Sequence, residues 1–142
     1  MTEISLAKAK RIISGTFAKG KELGLKPLAV IVVDAGGHPK AFERQDGAPP
    51  GRYKIAEGKA YSAVMFATPT SALMKRAEQQ QHFATAFSGV FDGKFVPLSG
   101  GIVVRDKRGN VVGAVGVTGD TSENDAIAGA VGVTLAGFVP EA

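Results

Sequence analysis

The sequence predicts an α+β fold: an antiparallel sheet with helices packed on it. Three observations lead there. Apolar strand-length runs come in adjacent pairs joined by turn residues, at 28–44 and at 101–118. Helical periodicity brackets each pair. No Pro-, Gly- or Ser-rich linker divides the 142 residues, so residues 1–142 are expected to form a single domain.

The elements follow in order. Leu6, Ala9, Ile13 and Phe17 recur at helical spacing with basic residues between them, and Gly24 before Pro27 suits the end of that helix. Leu28 to Asp34 is a continuous apolar run, short enough for a buried strand. Ala35-Gly36-Gly37 turns it, and His38 to Arg44 returns as its hairpin partner. Asp46 to Gly51 is a loop by composition. From Arg52 to Phe66 the pattern is helical again, with Ala56, Ala60, Ala63 and Val64 on one face. Thr68-Pro69 reads as an N-cap followed by proline at the first helical position, opening a helix with Leu73, Met74 and Ala77. Residues 83–98 mix apolar residues with Gly89, Gly93 and Pro97 and read as irregular, with room for a short strand. The second hairpin turns at Asp106-Lys107-Arg108-Gly109-Asn110. A last helix starts at Ser122, where Ser122 and Asp125 resemble a capping box, and Ile127, Val131, Leu135 and Phe138 form its expected buried stripe. The order is α-β-β-α-α-β-β-α.

Composition narrows the function. Apolar residues are 44% of the chain, enough for a core, yet no run approaches the ~18 residues of a membrane helix. The net charge of +4 comes largely from Lys8, Lys10, Arg11, Lys19 and Lys21 of the first helix and from the 105–108 turn. Neither group interleaves aromatic residues, which argues for solvated basic faces and against nucleic acid. With no cysteine there is no disulfide, thiolate ligand or cysteine nucleophile. The N-terminal residues carry no basic segment followed by an apolar one, so a cytoplasmic protein is expected. Val and Ala dominate the strands, leaving little bulk to cover both sheet faces within one subunit, so at least a dimer is expected.

Val32-Val33-Asp34-Ala35-Gly36-Gly37-His38, Asp46-Gly47-Ala48, Glu57-Gly58-Lys59-Ala60, Gly100-Gly101-Ile102 and Gly113 to Gly119 occur in this order along nearly the whole chain. The set resembles the GlcG/HbpS-like family. That family includes the glycolate-operon accessory protein, an extracellular haem-binding protein of redox sensing and the C-terminal domain of a propanediol-utilisation adenosyltransferase. The resemblance implies a profilin-like fold that assembles into dimers or larger homo-oligomers. It also implies either haem binding or degradation, or a role beside small-acid catabolism. The chain departs from the usual pattern at Thr118, where serine is common, and in its longer, more basic 105–110 turn.

The ligand reading is a pocket for a small, planar anionic molecule such as haem, with the cofactor itself left open. His38 or His82 would hold the iron, and Arg44 or Lys59 the propionates. His38 reads equally as a hairpin-edge residue, Lys59 as a surface lysine, and Arg44 as a structural partner of Asp46. The alternative is an enzyme moving a proton on a small carboxylate or keto acid. There Lys59 and Arg44 would orient substrate, and His38, Glu123 or Asp125 would act as base. Gly100, Gly101, Thr118 and Gly119 would line the pocket through close backbone approach, or the glycines would relieve crowding at a subunit interface. Replacing Lys59 by Met is expected to leave the fold nearly unchanged. No Walker loop, dinucleotide fingerprint, nucleophile elbow or HExxH is present.

Overall fold

The computed structural model describes residues 3–142. Its elements are α1 (Leu6–Glu22), β1 (Ala29–Asp34), β2 (Pro39–Arg44), α2 (Arg52–Phe66), α3 (Thr70–Gln79), α4 (Gln81–Val90), β3 (Gly101–Arg105), β4 (Val111–Thr118), α5 (Ser122–Leu135) and β5 (Val139–Glu141). The strands form one antiparallel sheet in the order β2-β1-β4-β3-β5. Both hairpins are as expected, and α4 and β5 are additions to the expected order.

The two hairpins close with the same turn. Asp34 Oδ1 accepts the backbone N–H of Gly36 at 2.9 Å and of His38 at 3.0 Å. Asp106 Oδ1 accepts from Arg108 and Asn110, each at 2.9 Å. Each turn places a glycine in the left-handed region, Gly37 at φ +83° and Gly109 at φ +88°. A carboxylate that satisfies its own turn, followed by glycine where L side chains are strained, is the local reason both strands reverse here. α1 ends in a Schellman motif: Gly24 N–H donates to Lys21 O and Leu25 N–H to Gly20 O.

Both sheet faces are covered within one chain, contrary to the expectation that strand composition leaves one bare. On one face α1 and α5 pack with Ile12, Ile13, Ala128 and Val133 over Val30, Val32, Ile102, Val115 and Val117. On the other, α2 lays Ala56, Ala60 and Ala63 on Ile31, Val33, Val103 and Ala114. Small residues serve because the elements lie so close. A Cβ at Gly116 would sit 2.0 Å from the Ala56 carbonyl oxygen, and one at Gly101 would sit 2.4 Å from that of Lys59. Gly101 and Gly116 therefore relieve crowding between α2 and the sheet within one chain.

The helix faces differ from the expected ones. In α5 the buried residues are Asp125, Ala128, Gly129, Gly132 and Val133. Ile127 and Leu135 are 49% and 63% exposed, so the bulky stripe faces outward. The reason is again close approach: Gly132 lies against Thr16 and the Ile12 carbonyl of α1. Phe138 is buried, beyond the helix end. In α1 Leu6 is exposed, while Ile12 joins Ala9 and Ile13 inside. The α5 cap is Thr121, whose hydroxyl accepts from Asn124 N–H, in place of Ser122. Pro69, not Thr68, occupies the N-cap position of α3, and the Thr68 hydroxyl donates to Phe66 O.

Residues 83–98 contain a helix and no strand. Phe83, Phe87 and Phe91 recur every four residues and meet Phe66 and Phe95. That ring cluster organises α4, which has no side-chain cap. β5 pairs with β3 and is tied to it by Arg105–Glu141 at 2.9 Å.

Candidate functional site

A buried polar cluster lies where α2, the end of β4 and the start of α5 meet. Lys59 sits on the sheet-facing side of α2 with its side chain 3% exposed. Its ammonium donates to Val117 O at 2.9 Å and to Asp125 Oδ2 at 3.4 Å. The other Asp125 oxygen accepts the Asp120 N–H at 2.9 Å, so one carboxylate both answers the lysine and closes the turn into α5. Burial pulls the Lys59 ammonium below its usual pKa, opposed by Asp125 and reinforced by the Arg52 charge. Burial likewise pushes Asp125 up, opposed mainly by Lys59. Both groups are thus drawn toward their neutral forms.

Gly100 and Gly119 frame this cluster with backbone that side chains disfavour, at φ +120° and +146°. A Cβ on Gly100 would lie 2.8 Å from Lys59 Nζ, and one on Gly119 would lie 2.2 Å from Pro27 O. Thr118 is buried, and its Oγ1 accepts from Arg52 Nη1 at 2.8 Å. Arg52 was absent from the expected site residues. Its signal is positional: a half-buried cation in the first turn of a helix, crossing to the end of the central strand.

The structure brings Lys59, Asp125, Gly100, Gly101, Thr118 and Gly119 together and leaves the other expected residues elsewhere. Glu123 is exposed on the first turn of α5. His82 is exposed at the start of α4. Arg44 closes β2, its guanidinium donating to Ala48 O and not pairing with Asp46. His38 lies beyond the other end of β2. Six residues at ~3.3 Å each put it about 20 Å from Arg44, too far for both to grip one small ligand in one chain.

His38 has surroundings of its own. Its imidazole is 80% exposed, with Nδ1 3.3 Å from Asp34 Oδ1. Asn110 takes the corresponding place in the second hairpin, its amide donating to Asp106 Oδ2. The imidazole differs in offering a second nitrogen, Nε2, away from the turn. Gly37 packs against Met65 and the Tyr61 ring of α2. A hollow of about 170 Å3 beside His38 is bordered by Lys40, Ile4 and Val112. Among the described residues no group of three or more histidine, aspartate and glutamate side chains could hold a bare metal ion.

The family model of the haem-degrading protein HbpS-like matches residues 4–134. The chain belongs to the HbpS-like family. It is 33% identical over 122 residues to an uncharacterized 15.0 kDa protein of the dhaT–dhaS intergenic region of Citrobacter freundii, covering 86% of this chain and 84% of that one. A double-mutant form of HbpS from Streptomyces reticuli is similar in structure, with TM-score 0.82 and 29% identity over 95% of this chain and 88% of that chain. The haem complex of PduOC shares the fold at TM-score 0.85 and 22% identity, over 96% and 97% of the two chains. The α+β fold is the feature shared with both structures. No helix among the described residues is long and apolar enough to cross a membrane.

Proposed function

We propose that the protein binds a small anionic molecule, that haem is this molecule, and that His38 Nε2 would hold its iron. The observation that carries the reading is the Asp34–His38 pair. A carboxylate beside one ring nitrogen leaves the other free for a metal, the arrangement usual behind metal-binding histidines. Asp34 is itself fixed by two backbone N–H groups, so the ring is held by the turn.

The surrounding residues fit the rest of a haem in part. Ile4 and Val112, which border the hollow with His38, give apolar ground beside the imidazole. Lys40 gives a cation for a propionate. The hollow is smaller than a haem, so His38 and Lys40 would hold only part of it within one chain. The outward ridge of Ile127, Val131 and Leu135 on α5 supports a homo-oligomer. Bound haem would supply the iron chemistry; the chain supplies the oriented imidazole, the apolar ground and the cation. The family description and the PduOC haem complex support the same ligand. Lys59 and Asp125 answer each other inside the chain with 3% and 1% of their side chains exposed, which counts against proton transfer to a substrate at their cluster.

Titration with hemin tests the reading. The expected result is a sharpened, shifted Soret band that changes in His38→Ala and stays in His82→Ala. Wild-type protein that leaves the spectrum of free hemin unaltered overturns it. Light scattering with and without hemin reads the assembly; a monomer at micromolar concentration in both overturns that part.

A further inference from the structure

We propose that the groove between the end of α1 and the end of β2 is a second binding site, for a zwitterion of amino-acid to dipeptide size with an apolar side chain. The groove measures about 580 Å3, within the ~300–1,000 Å3 of small-molecule sites. Lys21 and Lys26 border it from the α1 side, Glu43 and Asp46 from the β2 side. Among the described residues the ion pairs are Lys19–Glu22, His38–Asp34, Lys59–Asp125 and Arg105–Glu141. Lys21, Lys26, Glu43 and Asp46 thus share one space, and none of them is in an ion pair with a described residue. Opposite charges held apart across a groove complement a molecule that carries both signs at its two ends. Between them Phe17 and Leu25, half-buried and anchored on the main core, present apolar surface for a side chain. Arg44 borders the groove too, but its guanidinium is committed to Ala48 O.

The walls are held from a distance, as a preformed site requires. Lys26 N–H donates to Asp120 Oδ1 across 94 positions of sequence, at 3.2 Å. Leu28 N–H donates to Gln45 Oε1 at 2.7 Å, and Gln45 N–H returns to Leu28 O at 2.9 Å. The connector that carries Lys26 is therefore pinned at both ends, and the Schellman motif fixes where α1 delivers Lys21. The groove lies at the opposite end of β2 from His38, so it is independent of the haem reading.

Calorimetric titration of the full chain with the dipeptide Leu-Leu, its N-acetyl form and its C-terminal amide tests the proposal. The free dipeptide is expected to bind, and blocking either terminus to weaken binding at least tenfold. Lys26→Gln should weaken the free dipeptide at least fivefold, and so should the double variant Glu43→Gln, Asp46→Asn. His38→Ala should leave it unchanged. All these side chains are at the surface, so circular dichroism should show the variants folded. No heat with the free dipeptide overturns the proposal. So does equal binding of the acetylated form, which would mean the lysines select anions alone, and so does indifference to both sets of charge variants.

Discussion

The Lys59 ammonium lies 3.4 Å from Asp125 Oδ2, with 3% and 1% of the two side chains exposed. Neither charge has water to turn to. The pair joins α2 on one face of the sheet to α5 on the other, past the end of β4. Such a pair adds little net stability over an apolar pair of the same volume, but either half alone is a buried, unanswered charge.

Lys59→Met should therefore destabilise the fold by about 3–5 kcal/mol, not leave it unchanged as the sequence suggests. Adding Asp125→Leu should recover part of that loss, less the Asp120 N–H bond that Asp125 also satisfies. Urea denaturation of the wild type and the two variants measures this. A single variant within about 0.5 kcal/mol of wild type, the range of ordinary surface substitutions, would show that the lysine is not needed there.

Gly116→Ala and Gly101→Ala should each cost about 1–3 kcal/mol or more, because the new methyl group meets helix backbone that cannot swing aside. Gly51→Ala, with nothing within 4 Å of its Cβ position, is the control and should be near neutral. Thermal melts of the three proteins distinguish a tight helix–sheet contact from mere glycine content.

Acid should unfold the protein through its turn carboxylates. Asp106 is held below the usual aspartate value of 3.8 by the Asn110 side chain and by backbone N–H groups. Asp120 is held down by the Asn124 side chain and by backbone N–H groups, Lys26 among them. A depressed folded pKa gives stability that is present above 3.8 and lost as pH falls through the folded value. Asp125, pushed up by burial, has the opposite sign: its contribution is present below 3.8 and lost as pH rises through its folded value. Melting temperature should fall as pH drops below 3.8, and less steeply in Asp106→Asn. Equal slopes in the two proteins would contradict the assignment.

Phe83→Ala should release α4 while sparing the sheet. Phe83 is 5% exposed and packs on Phe66, Phe87 and Phe95, with the Arg76 guanidinium 4.0 Å over its ring. The loss should be about 3 kcal/mol. Amide hydrogen exchange should quicken in α3 and α4 and stay slow in β1 and β4; uniform quickening would mean that the ring cluster and the main core unfold together.

Both hairpins, their turns and the end of α1 were legible in the sequence. Each depends on neighbours a few residues apart: an aspartate that accepts its own turn's N–H groups, a glycine at positive φ, a continuous apolar run. Lys59, Asp125, Thr118 and the three site glycines Gly100, Gly101 and Gly119 were also legible as a set, through small residues and family motifs. Their mutual contacts were not, because Lys59 and Asp125 are 66 positions apart. The α4 helix was readable in principle from Phe83, Phe87 and Phe91 at spacings of four, but Gly89 and Gly93 masked it.

By itself, then, the sequence determined both hairpins, the helices α1, α2, α3 and α5 and where the chain reverses, since these follow from local backbone preference and periodicity. Only the tertiary structure decided which side of α5 is inside. Periodicity finds two apolar stripes on that helix, one bulky and one small. The small one is buried because Gly129 must lie against Ile102 and Val117, and Gly132 against α1, where a Cβ would come within 2.3–2.5 Å of neighbouring atoms. The same close packing seals Lys59 against Asp125 and turns Ile127 and Leu135 outward, a distance constraint between segments that no local pattern encodes.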